Sequence, residues 1–404
     1  MAMAAAGLWP LSSQGQSELQ RYNPRFELSA RNFCDTIAIE LEDDLVLLPV
    51  TIGNRQYRFC LDTGSSQGMV YRNSDIRGLT VQGNIVSRDA NNRTDTVQVV
   101  SLPPFTLGKG SSSLVVSGYV ASLMPRPAVS DKYDAVIGFD LFNRGLCGKI
   151  DTQKKVLILT DRKKFFAAEE RVGYGVSYKL KWFVPYLYVS PFVRHVDEAL
   201  FDTGASQLYT MNKQSFDEHV ARDLAALNKN LGVGIERQVE GRAEGRLSIG
   251  GFGVEQKDEV VFLKLDRLRW GDFSFNDVRA ITAQGASKVG ARLLSYGALV
   301  VNPFRKRLTL LPYNGADSVH VGNKPFGVAF VPLRGRATVG LIWEGSEQYR
   351  AGMRQGDTVL QIDQRPILTF ADFTRFRFIK GEVHQFRLQD ESGHEKVVVC
   401  RMVE

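Results

Sequence analysis

The sequence predicts a mainly β protein built from two related halves and a small third domain. One acidic loop occurs twice, as Phe59–Ser66 and as Ala199–Ser206, and in both copies apolar strand-forming residues lead into Asp-Thr-Gly. Short β-prone segments separated by turns fill residues 35–160, with no sustained helical period. After Tyr313 the composition changes to Asn, Gly, Asp and Ser, which indicates a domain boundary. The predicted units are an N-terminal segment (1–30), a first lobe (31–165), a second lobe (166–315) and a C-terminal domain (320–404).

Composition excludes several functional classes. The chain has 44% hydrophobic and 24% charged residues, which is typical of globular proteins. A net charge of +7 would permit an acidic partner, but basic and acidic residues are interspersed, so no nucleic-acid partner is expected. The four cysteines, at positions 34, 60, 147 and 400, lack Cys-x-x-Cys spacing and a histidine cluster. We therefore expect neither a zinc site nor a disulfide scaffold.

The N-terminal segment gives an ambiguous targeting signal. Met1–Gln16 begins with an alanine-rich apolar stretch, and no basic residue precedes Arg21. The segment is consistent with the remnant of a signal peptide or with an expression scar, and it is too short to span a membrane. No other apolar run reaches spanning length, so we expect a soluble body, exported to the periplasm or cell envelope, with the cytoplasm as the alternative.

The duplicated loop predicts a site on a pseudo-twofold axis. Each half would supply one aspartate, Asp62 or Asp202, at the end of a buried strand. Two carboxylates in contact cannot both ionise, so one keeps a proton while the other is charged. Such a pair is an acid and a base at once.

With these two loops, the chain resembles the aspartic proteases, closest to retropepsins fused in tandem. A retropepsin is a homodimer with one such loop per subunit, whereas this chain carries both. The resemblance implies two β-barrel lobes, a peptide or protein substrate, no metal or organic cofactor, and a monomer with an internal pseudo-dimer. It also implies that hydroxyl bonds between two threonines brace the loops and that the glycines allow the turns. The implied supporting residues are Thr63, Gly64, Ser65, Thr203, Gly204 and Ala205.

A glycine element closes each half. Ala135–Phe142 is similar to the apolar-apolar-Gly segment that crosses behind the catalytic loop in this family, and the glycine permits close backbone approach. The second-half segment aligns with it without a gap, placing Gly290 on Gly138 and Leu311 on Leu159. The second copy departs from the pattern, because Ala291-Arg292 replaces an apolar residue and an aspartate.

Two turn segments are candidates for hairpins that cover a substrate. Leu247–Gly253 looks much like a retropepsin flap tip, and the candidate contact residues are Ile249, Gly250, Gly251 and Phe252. An ordinary glycine hairpin is its alternative, and no helix pattern follows that would favour a nucleotide loop. The polar segment Arg88–Thr94, with Asn91 at its centre, lies where the first flap would be, and a plain surface loop explains it equally well.

The second half contains the one predicted amphipathic helix. Ser215 and Glu218 form a capping-box pattern, and apolar residues follow at helical spacing until Gly232. We expect this apolar stripe to pack on the lobe, with a partner-binding helix as the minor alternative. The stripe consists of Phe216, Val220, Leu224, Leu227 and Leu231.

The two loops differ at one position that bears on ionisation. Ser65 follows Gly64, whereas Ala205 follows Gly204. A serine hydroxyl can bond a carboxylate and an alanine cannot, so we expect Asp62 to be the more readily ionised aspartate.

Residues 323–404 resemble a PDZ domain. Pro325–Phe330 is similar to the carboxylate-binding loop and its strand, and Gly345–Asp357 is close to the pattern of bacterial PDZ domains. The resemblance implies that a chain end adds as a strand and that loop amides at Phe326, Gly327 and Val328 hold its carboxylate. A small structural domain without a groove is the alternative.

Two other functions compete with an aspartic endopeptidase. Gly64–Gly68 matches the Gly-x-Ser-x-Gly pattern of serine hydrolases, but no helix pattern follows and the second loop lacks the final glycine. A non-catalytic peptide-binding pseudoprotease with a PDZ adaptor function is the stronger rival, because the second glycine element is altered.

Overall fold

The computed structural model describes residues 26–89, 93–108, 114–125, 132–227, 232 and 234–402. The protein is mainly β within these residues. No helix among them is both long enough and apolar enough to cross a membrane.

The first part of the chain contains fourteen described strands and two short helices. The strands are β1 (Glu27–Leu28), β2 (Cys34–Ala38), β3 (Glu40–Glu42), β4 (Leu45–Ile52), β5 (Arg55–Leu61), β6 (Gly68–Tyr71), β7 (Thr80–Arg88), β8 (Thr94–Ser101), β9 (Phe105–Leu107), β10 (Leu114–Ser117), β11 (Val120–Met124), β12 (Ala135–Ile137), β13 (Cys147–Asp151) and β14 (Val156–Thr160). The helices are α1 (Asp140–Asn143) and α2 (Ala167–Val172).

The second part contains thirteen described strands and one longer helix. The strands are β15 (Tyr174–Lys181), β16 (Val184–Phe192), β17 (His195–Asp202), β18 (Tyr209–Asn212), β19 (Val239–Gly245), β20 (Ile249–Gly250), β21 (Gly253–Val254), β22 (Asp258–Trp270), β23 (Phe273–Ala283), β24 (Ser287–Gly290), β25 (Gly297–Asn302), β26 (Arg307–Pro312) and β27 (Ser318–His320). Helix α3 is Lys213–Leu227, and 3₁₀ turns occupy Ile235–Gln238 and Ala291–Ser295.

The C-terminal unit, residues 323–402, forms a sheet of its own with two short helices. The strands are β28 (Val328–Leu333), β29 (Arg336–Ile342), β30 (Thr358–Ile362), β31 (Arg365–Pro366), β32 (Val383–Gln389) and β33 (Glu395–Arg401), and the helices are α4 (Glu347–Arg350) and α5 (Phe370–Thr374). The sequence predicts that Phe386–Leu388 pairs with Lys396–Arg401 across the turn at Glu391–Gly393, and this pairing is confirmed. The sequence predicts a short helix over Phe370–Phe378, and the observed helix ends earlier, at Thr374.

Residues 45–160 (the first repeat) and residues 184–312 (the second repeat) share one strand order. In the first repeat, β12 lies parallel to β5 and antiparallel to β6, and β6 lies parallel to β11. In the second, β24 lies parallel to β17 and antiparallel to β18, and β18 lies parallel to β23. The duplication read from the sequence therefore extends to the topology.

The two repeats join through a run of six neighbouring strands within a larger continuous sheet, in the order β2-β14-β13-β25-β26-β15. At its centre, Gly148 pairs with Val301 and Lys149 pairs with Val300. The gap-free alignment places Gly148 on Val300 and Lys149 on Val301, so the cross-strand partners are exchanged between the repeats. This exchange is what a local twofold axis between β13 and β25 requires.

One continuous apolar core runs through both repeats, and the C-terminal unit has a second core of its own. Strands that end in the acidic loops supply fully buried residues, including Phe59 and Leu61 in β5 and Phe201 in β17. Burying such side chains contributes about 1.5–3 kcal/mol each. The loops are therefore fixed at the ends of strands whose last residues are buried.

Helix α3 corrects two details of the prediction. It begins at Lys213, where the Asn212 carboxamide accepts the Ser215 N–H, so Asn212 caps the helix. Leu224 and Leu227 are exposed, and the buried side chains are Phe216, His219 and Asp223. The apolar spacing was misleading because polar partners hold this face: Asp223 accepts the backbone N–H of Ile235 at 2.8 Å. Leu231 lies outside the described residues.

Candidate active site

The two acidic loops bond each other reciprocally. The Thr63 N–H donates to the Thr203 hydroxyl oxygen and the Thr203 N–H donates to the Thr63 hydroxyl oxygen, both at 3.0 Å. Each hydroxyl then donates across the axis, Thr63 to the Phe201 carbonyl at 2.8 Å and Thr203 to the Leu61 carbonyl at 2.5 Å. Both threonines are fully buried, so four hydrogen bonds lock the loops together.

This lock brings the two aspartates face to face. A Cβ atom added to Gly64 would lie 2.5 Å from Cγ of Asp202, and one added to Gly204 would lie 2.7 Å from Cγ of Asp62. Each glycine is thus required because its neighbour across the axis is a carboxyl group. The Gly64 N–H donates to Asp62 at 2.9 Å, and the Gly204 N–H donates to Asp202 at 3.0 Å. The predicted convergence of the two acidic turns is present.

The glycine elements cross directly behind these loops. The Phe139 N–H donates to the Ser65 carbonyl at 2.8 Å, and the Ala291 N–H donates to the Ala205 carbonyl at 2.7 Å. A Cβ atom added to Gly138 or Gly290 would lie within 2.7 Å of the loop backbone. The replacement by Ala291-Arg292 therefore leaves the backbone role of Gly290 intact. Arg292 instead forms an ion pair with Asp44 of the first half at 2.9 Å.

The electrostatics of the pair differ from the sequence expectation. Burial and the neighbouring Asp202 raise the pKa of Asp62 to about 8. Burial would also raise the pKa of Asp202, but the Lys288 ammonium, together with hydrogen bonds from Asp62 and the Gly204 N–H, outweighs it and the net shift of that pKa is downward. Asp202 is thus the ionised member and Asp62 the protonated one. The expectation that Asp62 ionises more readily is wrong, because the Ser65 hydroxyl donates to the Gln67 carbonyl and not to a carboxylate.

Lys288 is the site residue that the sequence reasoning missed. Its Nζ lies 2.8 Å from Oδ2 of Asp202, and its side chain is only 19% exposed. It lies in β24 beside Leu200, and Val136 lies in β12 beside Cys60. The gap-free alignment of Gly138 on Gly290 already places Val136 on Lys288, so a charge in an apolar strand was the available signal.

An apolar cluster borders the aspartates on the side of the first repeat. It is built on Tyr71, Ile85, Val97, Val99, Val120 and Met124. Tyr133 packs on the cluster, and its pKa is raised mainly by burial and in small part by the charge of Asp62, which places the phenol near that carboxyl. Phe252 packs on the same cluster from the second repeat. The cluster therefore connects the aspartate pair with the tip of the β20–β21 hairpin.

The tips of hairpins β7–β8 and β20–β21 meet. The Phe252 N–H donates to Asp89 at 2.9 Å, and Arg93 donates to the Phe252 carbonyl at 3.3 Å. Below the tip, the buried Glu255 accepts the Ser248 N–H at 3.0 Å and the Ser248 hydroxyl at 2.9 Å. The candidate residues Ile249, Gly250, Gly251 and Phe252 thus lie in one hairpin that joins the two repeats. Asn91 lies outside the described residues.

The C-terminal unit packs on the strand that leads into this hairpin. The Arg246 N–H donates to the Gly340 carbonyl at 2.8 Å, and a Cβ atom on Gly245 would lie 2.5 Å from that oxygen. Phe326 stacks on Phe262 of the second repeat, with ring centroids 5.3 Å apart. Ile249 packs against the core of the C-terminal unit. The hairpin therefore contacts the first repeat at its tip and the C-terminal unit at its base.

The predicted peptide-binding loop is partly occupied by this contact. Phe326, Gly327 and Val328 are all partly buried, and the Gly327 carbonyl accepts the Trp343 N–H at 3.0 Å. Strand β28 pairs with β29 on one side and is an edge strand within the described part of the chain. The unit thus presents a free sheet edge next to the predicted loop.

Among the residues that the structure describes, no group of three or more His, Cys, Asp or Glu side chains is arranged to hold a metal ion. All four cysteines are unpaired thiols.

Comparison with known proteins gives little further information. No family model matches the sequence, and no curated protein matches it. Among solved structures, the chain is similar to the crystal structure of basic 7S globulin from soybean, with a TM-score of 0.41 and 10% sequence identity. The similarity covers 69% of this chain and 94% of that chain. A likeness this weak carries no argument about function.

Proposed function

We propose that the protein is an aspartic endopeptidase of retropepsin-like architecture, with Asp62 and Asp202 as its catalytic pair. The observation that carries the proposal is the reciprocal exchange between Thr63 and Thr203, which holds two carboxyl groups together at the ends of two equivalent strands. Two groups so placed share one proton, which is the state required of an acid and a base that act in concert.

The charges of the pair assign the roles. The ionised Asp202 removes a proton from a water molecule held between the carboxyls, and the protonated Asp62 gives its proton to the carbonyl oxygen of the peptide bond. The water oxygen bonds to the carbonyl carbon, and a neutral tetrahedral diol forms without an acyl-enzyme. In its breakdown, Asp202 returns its proton to the leaving amine while Asp62 recovers one from a diol hydroxyl. The C–N bond breaks and both carboxyls regain their starting state.

Two hairpins would cover the bound peptide. The β20–β21 tip and the first-repeat hairpin touch through Phe252, Asp89 and Arg93, and the tip shares an apolar cluster with Tyr133 near Asp62. A peptide in extended form between the hairpins and the aspartates would be shielded from water. The apolar cluster favours substrates with a hydrophobic side chain on the first-repeat side of the cleaved bond.

A peptide-library digest of the purified protein, analysed by mass spectrometry across pH 3–9, tests the assignment. We expect cleavage by the natural protein and at least a hundredfold loss in Asp62→Asn and Asp202→Asn, since a positioned acid or base contributes about 10²–10⁴-fold. Asp95→Ala is the matched control, because Asp95 is exposed and accepts a hydrogen bond from its neighbour Thr96. Full activity in either Asn variant would refute the proposal.

For the C-terminal unit we infer a PDZ-like role in binding chain ends. The free edge of β28 would accept an extended chain as an added strand, and the backbone at Phe326 and Gly327 would receive the terminal carboxylate. Fluorescence anisotropy with the whole chain should show tighter binding of peptides with a free carboxyl terminus than of the same peptides with a terminal amide. Equal binding of both forms would exclude this role.

A non-catalytic peptide-binding protein is the second candidate, and Lys288 favours it. An ammonium bound to one carboxylate could compete for the space where the attacking water must lie. A pepstatin-type inhibitor distinguishes the two functions when it is paired with the library digest. Inhibitor binding together with cleavage supports the enzyme, whereas peptide binding without any cleavage at any pH supports the binding protein.

A further inference from the structure

The surroundings of Lys288 differ from those of its counterpart. In the first repeat, Val136 lies beside Cys60, whose cross-strand partner is Leu47, and the three form a buried apolar cluster. In the second, Lys288 lies beside Leu200, whose cross-strand partner is Tyr186. The same backbone position thus carries an apolar side chain next to one aspartate and a cation next to the other.

Lys288 is enclosed by groups that stabilise its charge. Its nearest partner is Asp202, and Asp62 and the Tyr186 phenol also lie close enough to influence it electrostatically. Burial alone would lower the pKa of Lys288, but the Asp202 carboxylate, with smaller contributions from Asp62 and Tyr186, outweighs it and the pKa is raised. The further titratable groups around the cluster are Lys181 and Glu198 near Tyr186, and Cys60 and Tyr133 near Asp62.

We propose that Lys288 is a positioning residue that holds Asp202 ionised, so that Asp62 is always the acid and Asp202 always the base, and that this extends the acid limit of peptide cleavage to lower pH. The inference rests on the proposed endopeptidase function and adds the regulation of its proton. Geometry carries it: a mostly buried ammonium 2.8 Å from one carboxylate breaks the equivalence that the threonine exchange would otherwise impose.

The direction of the effect follows from simple electrostatics. A cation stabilises the charged form of both carboxylates and acts most strongly on the nearer one. Asp202 therefore loses its proton below its usual range, while burial and the adjacent carboxylate keep the proton on Asp62 until its pKa of about 8. The state with one proton on the pair then covers the whole range between, including pH 7.

The pH profile of kcat/KM in Lys288 variants tests this role. In Lys288→Met we expect the acid limb to move upward by one pH unit or more, and the alkaline limb also to move upward, because a charge that stabilises both carboxylates is lost. Lys288→Arg should keep both limbs near their natural positions. Lys264→Met is the matched control, since Lys264 is half exposed on β22 and faces Asp277. Lys288→Gln serves if the methionine variant does not fold.

The inference is overturned if the acid and alkaline limbs of the kcat/KM profile stay unchanged in a variant that lacks the charge. If such a variant is also more active at every pH, Lys288 only blocks the site.

A readout without cleavage separates this inference from the proposed function. Carbon-13 NMR of the aspartate carboxyls follows their titration in the natural protein and in Lys288→Met. We expect Asp202 to titrate at a pH well below that of Asp62 in the natural protein. In the variant, the interval between the two titration midpoints should narrow by at least one pH unit. If no peptide is cleaved but the interval narrows, the endopeptidase proposal fails and the role of Lys288 stands. An unchanged interval overturns the role of Lys288 whether or not peptides are cleaved.

Discussion

The two repeats have the same backbone arrangement around their acidic loops, but they place different charges beside the two aspartates. Thr63 and Thr203 make the same hydrogen bonds across the local axis, and Gly138 and Gly290 cross behind the loops in the same way. The strand next to Asp62, however, contributes Val136, whereas the strand next to Asp202 contributes Lys288. Duplication can therefore preserve the geometry of a site while side chains on flanking strands shift the pKa values of its two carboxyl groups in opposite directions.

A second asymmetry lies behind the loops. Asp140 of the first repeat is buried, bonds the Tyr119 hydroxyl at 3.0 Å, and has its pKa raised to about 7 by burial. The equivalent residue in the second repeat, Arg292, reaches outward to Asp44. The first repeat thus stabilises its loop from within, and the second uses a contact with the first.

The largest test of this comparison is the isosteric substitution of each aspartate of the proposed catalytic pair. We expect Asp62→Asn and Asp202→Asn to lose activity alike, by at least a hundredfold, but to differ in stability. An amide can replace the protonated Asp62 carboxyl, so Asp62→Asn should unfold no more easily than the natural protein. Asp202→Asn leaves the Lys288 ammonium without its carboxylate and should cost about 1–3 kcal/mol of the free energy of unfolding. Urea unfolding at pH 7 measures both; equal stability losses would contradict the assigned charges.

The reciprocal hydrogen bonds of Thr63 and Thr203 predict that replacing either threonine lowers the free energy of unfolding by a similar amount, unlike the replacements of the two aspartates. Thr63→Ala and Thr203→Ala each remove an acceptor and a donor at a buried position, and each should cost about 1–3 kcal/mol. The double variant should cost less than the sum, because both side chains belong to one network. Thr63→Ser, which keeps the hydroxyl, is the control. Clearly unequal single-variant losses would show that the axis is less symmetric than the backbone indicates.

The opposite pKa shifts of Asp62 and Asp202 also predict how the stability of the protein depends on pH. Asp62 keeps its proton up to a pKa of about 8 when folded and loses it near 3.8 when unfolded, so its contribution is fully present below the unfolded value and is lost as pH rises toward 8. Asp202 has a lowered pKa, so its contribution is present above the unfolded value and is lost as pH falls through the folded one. Asp62→Asn should therefore flatten the decline in melting temperature between pH 4 and pH 8. A decline of unchanged slope would count against a raised pKa for Asp62.

The hairpin contact should affect substrate binding more than chemistry. Asp89→Ala removes the acceptor of the Phe252 N–H, and we expect KM to rise a few-fold, since one hydrogen bond contributes about 0.5–1.5 kcal/mol. The turnover number should change less. Steady-state kinetics on one cleaved peptide, with Asp95→Ala as the control, measures the effect. A loss confined to kcat would mean that the contact serves the aspartates and not the peptide.

The smallest expected effect is at the ion pair between the repeats. Arg292 and Asp44 are both partly exposed, and such pairs contribute about 0.2–1 kcal/mol. Arg292→Ala should therefore lower the free energy of unfolding only slightly, whereas Gly290→Ala would drive a Cβ atom to 2.2 Å from the Gln207 carbonyl oxygen and disrupt the loop. Thermal unfolding of the two variants compares them directly. A large loss in Arg292→Ala would show that the second repeat depends on that contact.

Short-range patterns predicted most of the strands and both loops. The sequence predicts a strand at Leu45–Ile52 that turns at Gly53-Asn54 and returns toward Asp62, and a matching hairpin that leads into Asp202. Both hairpins are confirmed. These predictions succeeded because alternating apolar residues and glycine turns are local properties of the chain. The predicted stripe of helix α3 was only partly right. Phe216 is buried and Val220 packs on the core, but Leu224 and Leu227 are exposed, and the buried Asp223 instead accepts the Ile235 N–H. The activity, the substrate and the role of the C-terminal unit stay predictions.

The amino-acid sequence alone determined that the chain carries two equivalent acidic turns on apolar strands, because repetition and periodicity are readable without coordinates. Only the tertiary structure decided which aspartate is charged. A pKa depends on burial and on charges that neighbouring strands bring within a few ångströms, and Lys288 is 86 residues after Asp202 along the chain but 2.8 Å from its carboxylate in space. The same holds for the contact between Arg246 and Gly340, which ties the hairpin to a unit that the sequence could only place after it.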